Sequence, residues 1–456
     1  MADAYRDVYA NGEVGSRDLS IINTTTTATD TTIATDTIDS DNKVDYYPVS
    51  DVGIAEHFAT DYGHKIQYIP QWRCWLYYNG KVWKRDTANR VGRLAVKHVR
   101  FNMPRYAATI ADAEQRTKYL KWCGQCQSQG KIDAMVALAL LALSNDATDL
   151  DANPNLLNVR NGTIELDTLT FRPHSAEDNL TKICNANYDP AADAPRWHQF
   201  INRIFQAANG TPRGDIIAYV QRAIGYCMTA DVSEQCLFVL YGGGRNGKTT
   251  FIETLKTILG DYALTGQQTL LMRLSEYTSR NSDDEAELFG RRLVCVSEIE
   301  QGQRMDESKV KRIVGGGEIR AMRKYEQSFA FLPTHKVWLD CNHKPRIKGE
   351  DEGIWRRIKL IEFLVQIPYS ERDLQLADKL QTESSGILNW MLQGVAEWRT
   401  NGLAEPRAVA SATGNYRTES DTLGRFSPIA YPPMMPRQPQ SMTYIWRIAG
   451  GHRKMD

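Results

Sequence analysis

The apolar positions of this chain fall into segments of different period, and each change of period marks an element. Leu237–Leu240 is a continuous apolar run; glycines follow it, and then Phe251, Ile252, Leu255, Ile258 and Leu259 recur at helical spacing before Gly260. That order predicts a buried strand, a loop and a helix that Gly260 stops. Leu293–Val296 and Val337–Leu339 are further short apolar runs of the kind found in buried strands, and another strand is expected to begin at Ile358. Upstream, Pro195 opens a helix with Phe200, Ile201, Ile204 and Phe205 on one face. A second helix is expected from Asp215 to about Met228, carrying Ile216, Ile217, Val220, Ile224 and Tyr226. Residues from about 91 to 143 read as helical. Asn79-Gly80 lies among Trp72, Trp75, Tyr77, Tyr78 and Trp83 and predicts a hairpin turn, and Asn161-Gly162 gives a second turn-and-strand signal. Clustered aromatics could stack bases, but they more often fill the core of a small sheet, and a core is expected here. Thr24 to Thr37 is almost only Thr, Ala, Asp and Ile, with too little to bury, so the N-terminal residues read as a disordered arm.

The expected organisation is therefore an α/β chain: a disordered arm over 1–50, an α+β domain over 51–190, a helical collar over 191–232, an α/β domain over 233–400 and a C-terminal segment over 401–456. The 456 residues are enough for several domains. Lysine and arginine number 55 and aspartate and glutamate 55, so any affinity for nucleic acid has to be local rather than a property of the whole chain. Cys123-x-x-Cys126 is the only close pair among eight cysteines, and no histidines stand near it to complete a zinc site. Reduced thiols in a cytosolic protein are expected. The longest apolar run, Ala134 to Leu143, is too short to span a bilayer, and the N-terminus lacks a signal pattern. A soluble protein of the bacterial or virus-infected host cytoplasm, without a membrane partner, is the expectation.

Gly242, Gly243, Gly244, Arg245, Asn246, Gly247, Lys248 and Thr249 fit the pattern G-x-x-x-x-G-K-[ST], and Thr250 follows. Such a loop turns successive backbone N–H groups toward phosphate oxygens, and glycine takes the dihedrals this needs without strain. Lys248 would reach the β- and γ-phosphates of ATP, the Thr249 hydroxyl would take a position on Mg²⁺, and the helix N-terminus would add its positive end. A chance glycine-rich turn would not be expected to have both a strand before it and a helix after it.

Fifty residues on, Arg291 to Glu298 reads as an apolar strand ending in an acid, with Glu300 two residues further. An acid at that place after a phosphate-binding loop suits the Mg²⁺ shell and the polarisation of water. Between Arg304 and Lys324 stand seven basic residues (Arg304, Lys309, Lys311, Arg312, Arg320, Arg323, Lys324) against three acids. Gly315–Tyr325 reads as a loop feeding a strand or hairpin. Basic side chains beside an aromatic suit a single-stranded backbone; a solvated basic face is the other reading. Asn342 ends the strand after Lys336 and could hydrogen-bond a γ-phosphate, which requires that strand to lie beside the loop's own. Arg356 and Arg357 precede the strand at Ile358, where an always-charged planar fork could stabilise a transferring phosphoryl group.

Taken in order, the loop, Val-Cys-Val-Ser-Glu-Ile-Glu, Gly-Gly-Gly-Glu-Ile-Arg-Ala-Met-Arg-Lys, Asp-Cys-Asn-His-Lys-Pro and Trp-Arg-Arg resemble the superfamily 3 helicases. The likeness is to the phage/plasmid primase-helicase family related to poxvirus-type NTPases. Asn158–Gly162 and Ala223-Ile224-Gly225-Tyr226 look like that family's pre-helicase region, and the resemblance runs from about Asp51 to Phe426. It implies a P-loop, AAA+-like core that forms a homo-oligomeric ring, usually a hexamer, and moves along single-stranded DNA using ATP and Mg²⁺, with a separate primase as an optional partner. By motif match, Lys248 and Thr249 would bind phosphate and metal. Glu298 would be the metal-shell carboxylate, with Glu300 assisting or replacing it. Asn342 would sense the γ-phosphate, Arg357 or failing that Arg356 would act on the neighbouring subunit, and Arg320, Arg323 and Lys324 would line the DNA channel. Primer synthesis is not expected from this chain. The proline-rich stretch from Ser427 departs from the family pattern and suggests truncation or a change of reading frame. A truncated accessory that binds nucleotide and DNA without unwinding is the rival reading. A small-molecule kinase would share the loop but leave the basic stretch and Trp355-Arg356-Arg357 unexplained.

Overall fold

The computed structural model describes residues 47–273, 283–297, 301–322, 328–348 and 351–420. The expected arm and proline-rich tail lie outside the described residues. Ser50 caps α1 (Asp51–Tyr62) by accepting the Gly53 N–H at 3.1 Å. The chain then forms an antiparallel sheet of β1 (Ile66–Ile69), β2 (Cys74–Tyr78) and β3 (Trp83–Arg85), with Asn79-Gly80 in the β2–β3 connection as its turn chemistry predicts. Trp72, Trp75 and Trp83 are buried, and the Trp83 indole donates to Ala176 O at 2.8 Å, so these aromatics are core residues. The helices α2 (Arg90–Lys97), α3 (Ala113–Gln125) and α4 (Gln129–Leu143) follow, the last packed on α1 and tied to it by a Lys131–Asp51 ion pair of 2.7 Å. Cys123 and Cys126 are buried free thiols, pushed up by burial to about 11 and about 12.

A second antiparallel sheet, β4 (Leu156–Val159), β5 (Gly162–Glu165) and β6 (Thr170–Arg172), turns at Arg160-Asn161. Gly162 opens β5 rather than occupying the turn, and glycine is required there because a Cβ would come within 2.4 Å of Arg172 O. The two expected helices form as α5 (Pro195–Ile204) and α6 (Gly214–Met228).

Next come β7 (Leu237–Tyr241), α7 (Lys248–Leu259), β8 (Ala263–Gly266), β9 (Leu293–Val296), α8 (Glu307–Ile313), the hairpin β10 (Ile319–Met322) and β11 (Ser328–Phe331), β12 (Lys336–Cys341) and β13 (Ile358–Glu362). The chain then ends its described part in α9 (Leu376–Thr382), α10 (Ser384–Asn401) and α11 (Arg407–Ser420). Five strands form one parallel sheet in the order β13-β7-β12-β9-β8. The period-two alternation divides them between two cores. Phe238, Leu240, Cys295, Trp338 and Ile361 face the cluster built with α5, α6, α7 and α10, whereas Leu237, Val239, Val294, Val337 and Leu339 face α8, β10–β11 and α11. With both faces covered, β7 and β12 are apolar almost throughout.

Leu157, Val159 and Ile164 of the second small sheet join Trp197, Phe238 and Leu255 in one cluster, so the core is continuous across the expected boundaries near 190 and 232. Two close approaches hold this arrangement. A methyl group on Gly225 of α6 would lie 2.0 Å from the Gly394 carbonyl carbon of α10, so the Ala223–Tyr226 stretch carries glycine where these helices cross. The buried Arg292, at the start of β9, donates to Leu156 O at 2.9 Å, to Pro154 O at 3.3 Å and to Met228 O, joining β4 and the end of α6 to the parallel sheet. No helix among the described residues is long and apolar enough to cross a membrane.

Candidate functional site

The C-terminal ends of β7, β9 and β12 converge on a cleft of about 590 Å³ whose lining includes Arg245, Lys248, Thr249, Ser297, Asp340 and Asn342. Open α/β sheets bind their ligands in such crevices. Between β7 and α7 the chain turns through Gly244, Arg245 and Gly247 with φ of 86°, 55° and 85°. The left-handed backbone explains glycine at 244 and 247, while Arg245 takes the same region with a side chain. Gly242 serves a different end: a Cβ there would come within 2.7 Å of Phe363 O and 2.3 Å of the Asn246 carboxamide nitrogen. Gly243 meets nothing within 4 Å.

Lys248 begins α7 and is only 3% exposed. Its Nζ donates to Gly242 O at 2.7 Å and to Asn342 Oδ1 at 3.0 Å, and Asp340 Oδ1 lies 3.8 Å away. Burial lowers the lysine's pKa, and Asp340 partly offsets it; burial raises that of Asp340, and Lys248 partly offsets it. Each charge is therefore partly sustained by the other against the cost of its burial. β12 pairs with β7 in parallel, Cys341 opposite Tyr241, which brings Asn342 beside the loop as its proposed contact requires.

Asp340 was not singled out by the sequence reading. The available signal was its spacing: two residues before Asn342, it shares that residue's side of an extended strand.

The lining offers what a polyphosphate with a divalent cation needs: a lysine, the hydroxyls of Thr249 and Thr250, a carboxylate and a carboxamide. The Asn246 Nδ2 is buried in the loop without a hydrogen-bond partner, a donor suited to an anionic oxygen. The residues present therefore fit the group. Glu298 and Glu300 lie outside the described residues.

Other expected site residues stand apart from the cleft. Leu237 N–H donates to Arg357 O at 2.7 Å, so the backbone at Arg356 and Arg357 lies at the opposite end of the strands, about five residues or roughly 16 Å from Gly242. Arg357 is held within its own chain by Gly353 O and Gln235, whereas Arg356 is exposed. The basic stretch is largely committed to carboxylates: Arg312 makes a bidentate pair with Glu285 at 2.6 and 2.8 Å, Lys309 lies 3.7 Å from the same residue, and Lys311 pairs with Asp351. These three form no free basic face, because α8 packs where acids meet it. Arg320 stands 85% exposed on the outer side of β10, and Arg323 and Lys324 lie outside the described residues.

Residues 55–206 match the family described as D5 N terminal like, and residues 240–357 match a family of unknown function, DUF5906. A candidate helicase of Acanthamoeba polyphaga mimivirus is 28% identical over 299 residues, covering 62% of this chain and 31% of the viral protein. A candidate primase of African swine fever virus is 24% identical over 213 residues, covering 46% and 22%. A candidate helicase of Invertebrate iridescent virus 3 is 24% identical over 230 residues, covering 48% and 24%. The chain thus spans less than a third of the length of these relatives. Among solved structures, the apo C-terminal region of NrS-1 aligns with a TM-score of 0.47 at 9% identity, over 76% of this chain and 71% of that one. The chain thus carries a region similar to the D5 N terminal like family over residues 55–206, and it is similar to proteins of large DNA viruses that are named as helicases and primases.

Proposed function

We propose that this chain is the motor part of a replication helicase: a P-loop, AAA+-like ATPase that acts in a homo-oligomeric ring and moves on single-stranded DNA. The observation that carries the reading is the buried Lys248, held by Gly242 O and Asn342 Oδ1 at the head of α7. A lysine kept out of water by two neutral acceptors, with a carboxylate 3.8 Å away, is poised to exchange them for phosphate oxygens. Thr249, with Glu298 or Glu300, would hold Mg²⁺, which when bound neutralises charge on the β- and γ-phosphate oxygens. Asn342 would orient the γ-phosphate, and the loop N–H groups would fix the chain of phosphates against α7. The helicase and primase names of the viral relatives support a replication role.

The test is ATP hydrolysis by the purified chain, with and without single-stranded DNA. Hydrolysis stimulated by DNA and lost in Lys248→Ala is expected. Nucleotide binding without hydrolysis in either condition would instead favour the non-motor accessory, and absence of nucleotide binding would reject the phosphate-site reading itself.

A further inference from the structure

Away from the cleft, α1 carries His57 and Asp61 one turn apart on its inner face, and they meet His98 from the segment after α2. His98–Asn102 is a π-helical turn set between α-helical stretches, a widened turn of the kind that recurs at functional sites. It aims two side chains at one carboxylate: His98 Nδ1 lies 2.9 Å and Asn102 Nδ2 2.7 Å from Asp61 Oδ2. His57 Nε2 stands 3.8 Å from the other oxygen, Asp61 Oδ1. That separation is too long for a hydrogen bond, but it suits two ligands of one ion with bonds of about 2.0–2.2 Å. One ligand atom from each of the three residues lies within 4.8 Å of the others.

We propose that His57, Asp61 and His98 form a binding site for a divalent transition-metal ion of the zinc class. Two imidazoles and one carboxylate match the ligand preferences of such an ion. The outer contacts resemble those that orient metal ligands: His57 Nδ1 lies 3.3 Å from the Tyr119 hydroxyl, and Asn102 fixes Asp61. His98 Nε2 is buried without a hydrogen-bond partner, so nothing on that side of the ring locks the proton onto Nδ1. Coordination through Nδ1 needs only the other neutral tautomer. The side chain of Asp61, 27% exposed, leaves a path for the ion and for water as a further ligand. A bound ion would tie α1 to the π-turn from inside the D5 N terminal like region.

The site is tested on the full chain with Co²⁺, whose ligand-field absorption reports coordination, followed by displacement with Zn²⁺. One equivalent of Co²⁺ per chain, with a visible band that Zn²⁺ removes, is expected. The discriminating variant is His98→Asn. Its carboxamide can still donate to Asp61, so a purely hydrogen-bonded cluster would tolerate it, but it cannot supply the imidazole lone pair. Affinity should fall at least about tenfold while circular dichroism is unchanged, and Tyr119→Phe, which leaves all three ligands, should weaken binding about tenfold. If the wild-type chain gives no band in excess Co²⁺, or if folded His98→Asn binds as tightly as wild type, the cluster is a hydrogen-bonded network and the proposal fails. Should His98→Asn not fold, Tyr119→Phe decides, an unchanged affinity overturning the proposal.

Discussion

Lys248 and Asp340 show how one residue's role depends on what it is paired with. Under the proposed function Lys248→Ala removes the charge offered to phosphate, and hydrolysis should fall by about 10²-fold or more, with the fold retained by circular dichroism. Near-normal turnover in the folded variant would remove the loop from the mechanism. Asp340→Asn leaves a buried cation without its counter-ion. The free chain should lose about 2 kcal/mol, less than the 3–5 typical of a fully buried broken pair because Asp340 keeps some exposure. Phosphate can replace the lost negative charge, so ATP should raise the melting temperature of this variant more than that of wild type. Equal shifts would mean that the carboxylate does not share the lysine with the ligand.

At the scale of elements, the crossing of α6 and α10 and the hairpin β10–β11 make opposite kinds of demand. Gly225→Ala puts a methyl group into the backbone of Gly394 and should cost about 3 kcal/mol in denaturant unfolding. Gly414→Ala, on an exposed part of α11 where nothing lies within 4 Å, should instead stabilise by about 0.5 kcal/mol. If both were neutral, the helix crossing would not be set by glycine. The hairpin alternates Ile319 and Ala321 inward with Arg320 and Met322 outward, which puts the Arg320 guanidinium on the exposed face. Replacing Arg320, Arg323 and Lys324 with alanine should weaken single-strand binding and lower its salt slope by roughly 0.7 for each lost phosphate contact, with basal hydrolysis intact. An unchanged slope would make the hairpin an ordinary solvated edge.

For the whole molecule, the parallel sheet separates the backbone at Arg356 and Arg357 from the loop by the length of β7, so under the proposed function an arginine there would act on the cleft of a neighbouring subunit. In a cyclic assembly each interface is head-to-tail, and a distant surface of one subunit can meet the cleft of the next. Arg356 is the exposed one, whereas Arg357 is engaged with Gly353 and Gln235. Arg356→Ala should therefore bind ATP, assemble and hydrolyse about 10³-fold more slowly. Mixing it with Lys248→Ala subunits should recover activity, because intact clefts then face intact arginines. Mixed rings shown to form but remaining inactive at every ratio would rule out an arginine acting in trans at this position.

The β7–loop–α7 unit was legible in the sequence because its signals are contiguous: an apolar run, glycines and a helical period, with Gly260 as the stop. The adjacency of β12 to β7 could be expected too, since Asn342 is useful only if its strand lies beside the loop. Contacts between residues far apart in sequence could not be read this way, because hydrophobic period is a local property and charge composition does not say which acid meets which base. Packing alone committed Lys309, Lys311 and Arg312 to Glu285 and Asp351, turned Arg292 into a buried staple between sheets, and brought Asp340 to Lys248. It likewise drew His98 onto Asp61, 37 residues earlier in the chain, where no spacing rule would look for a partner. The sequence by itself determined the segments and the loop chemistry; the tertiary structure decided which side chains meet, because burial makes an unpaired charge or polar group costly and so selects partners by proximity in space.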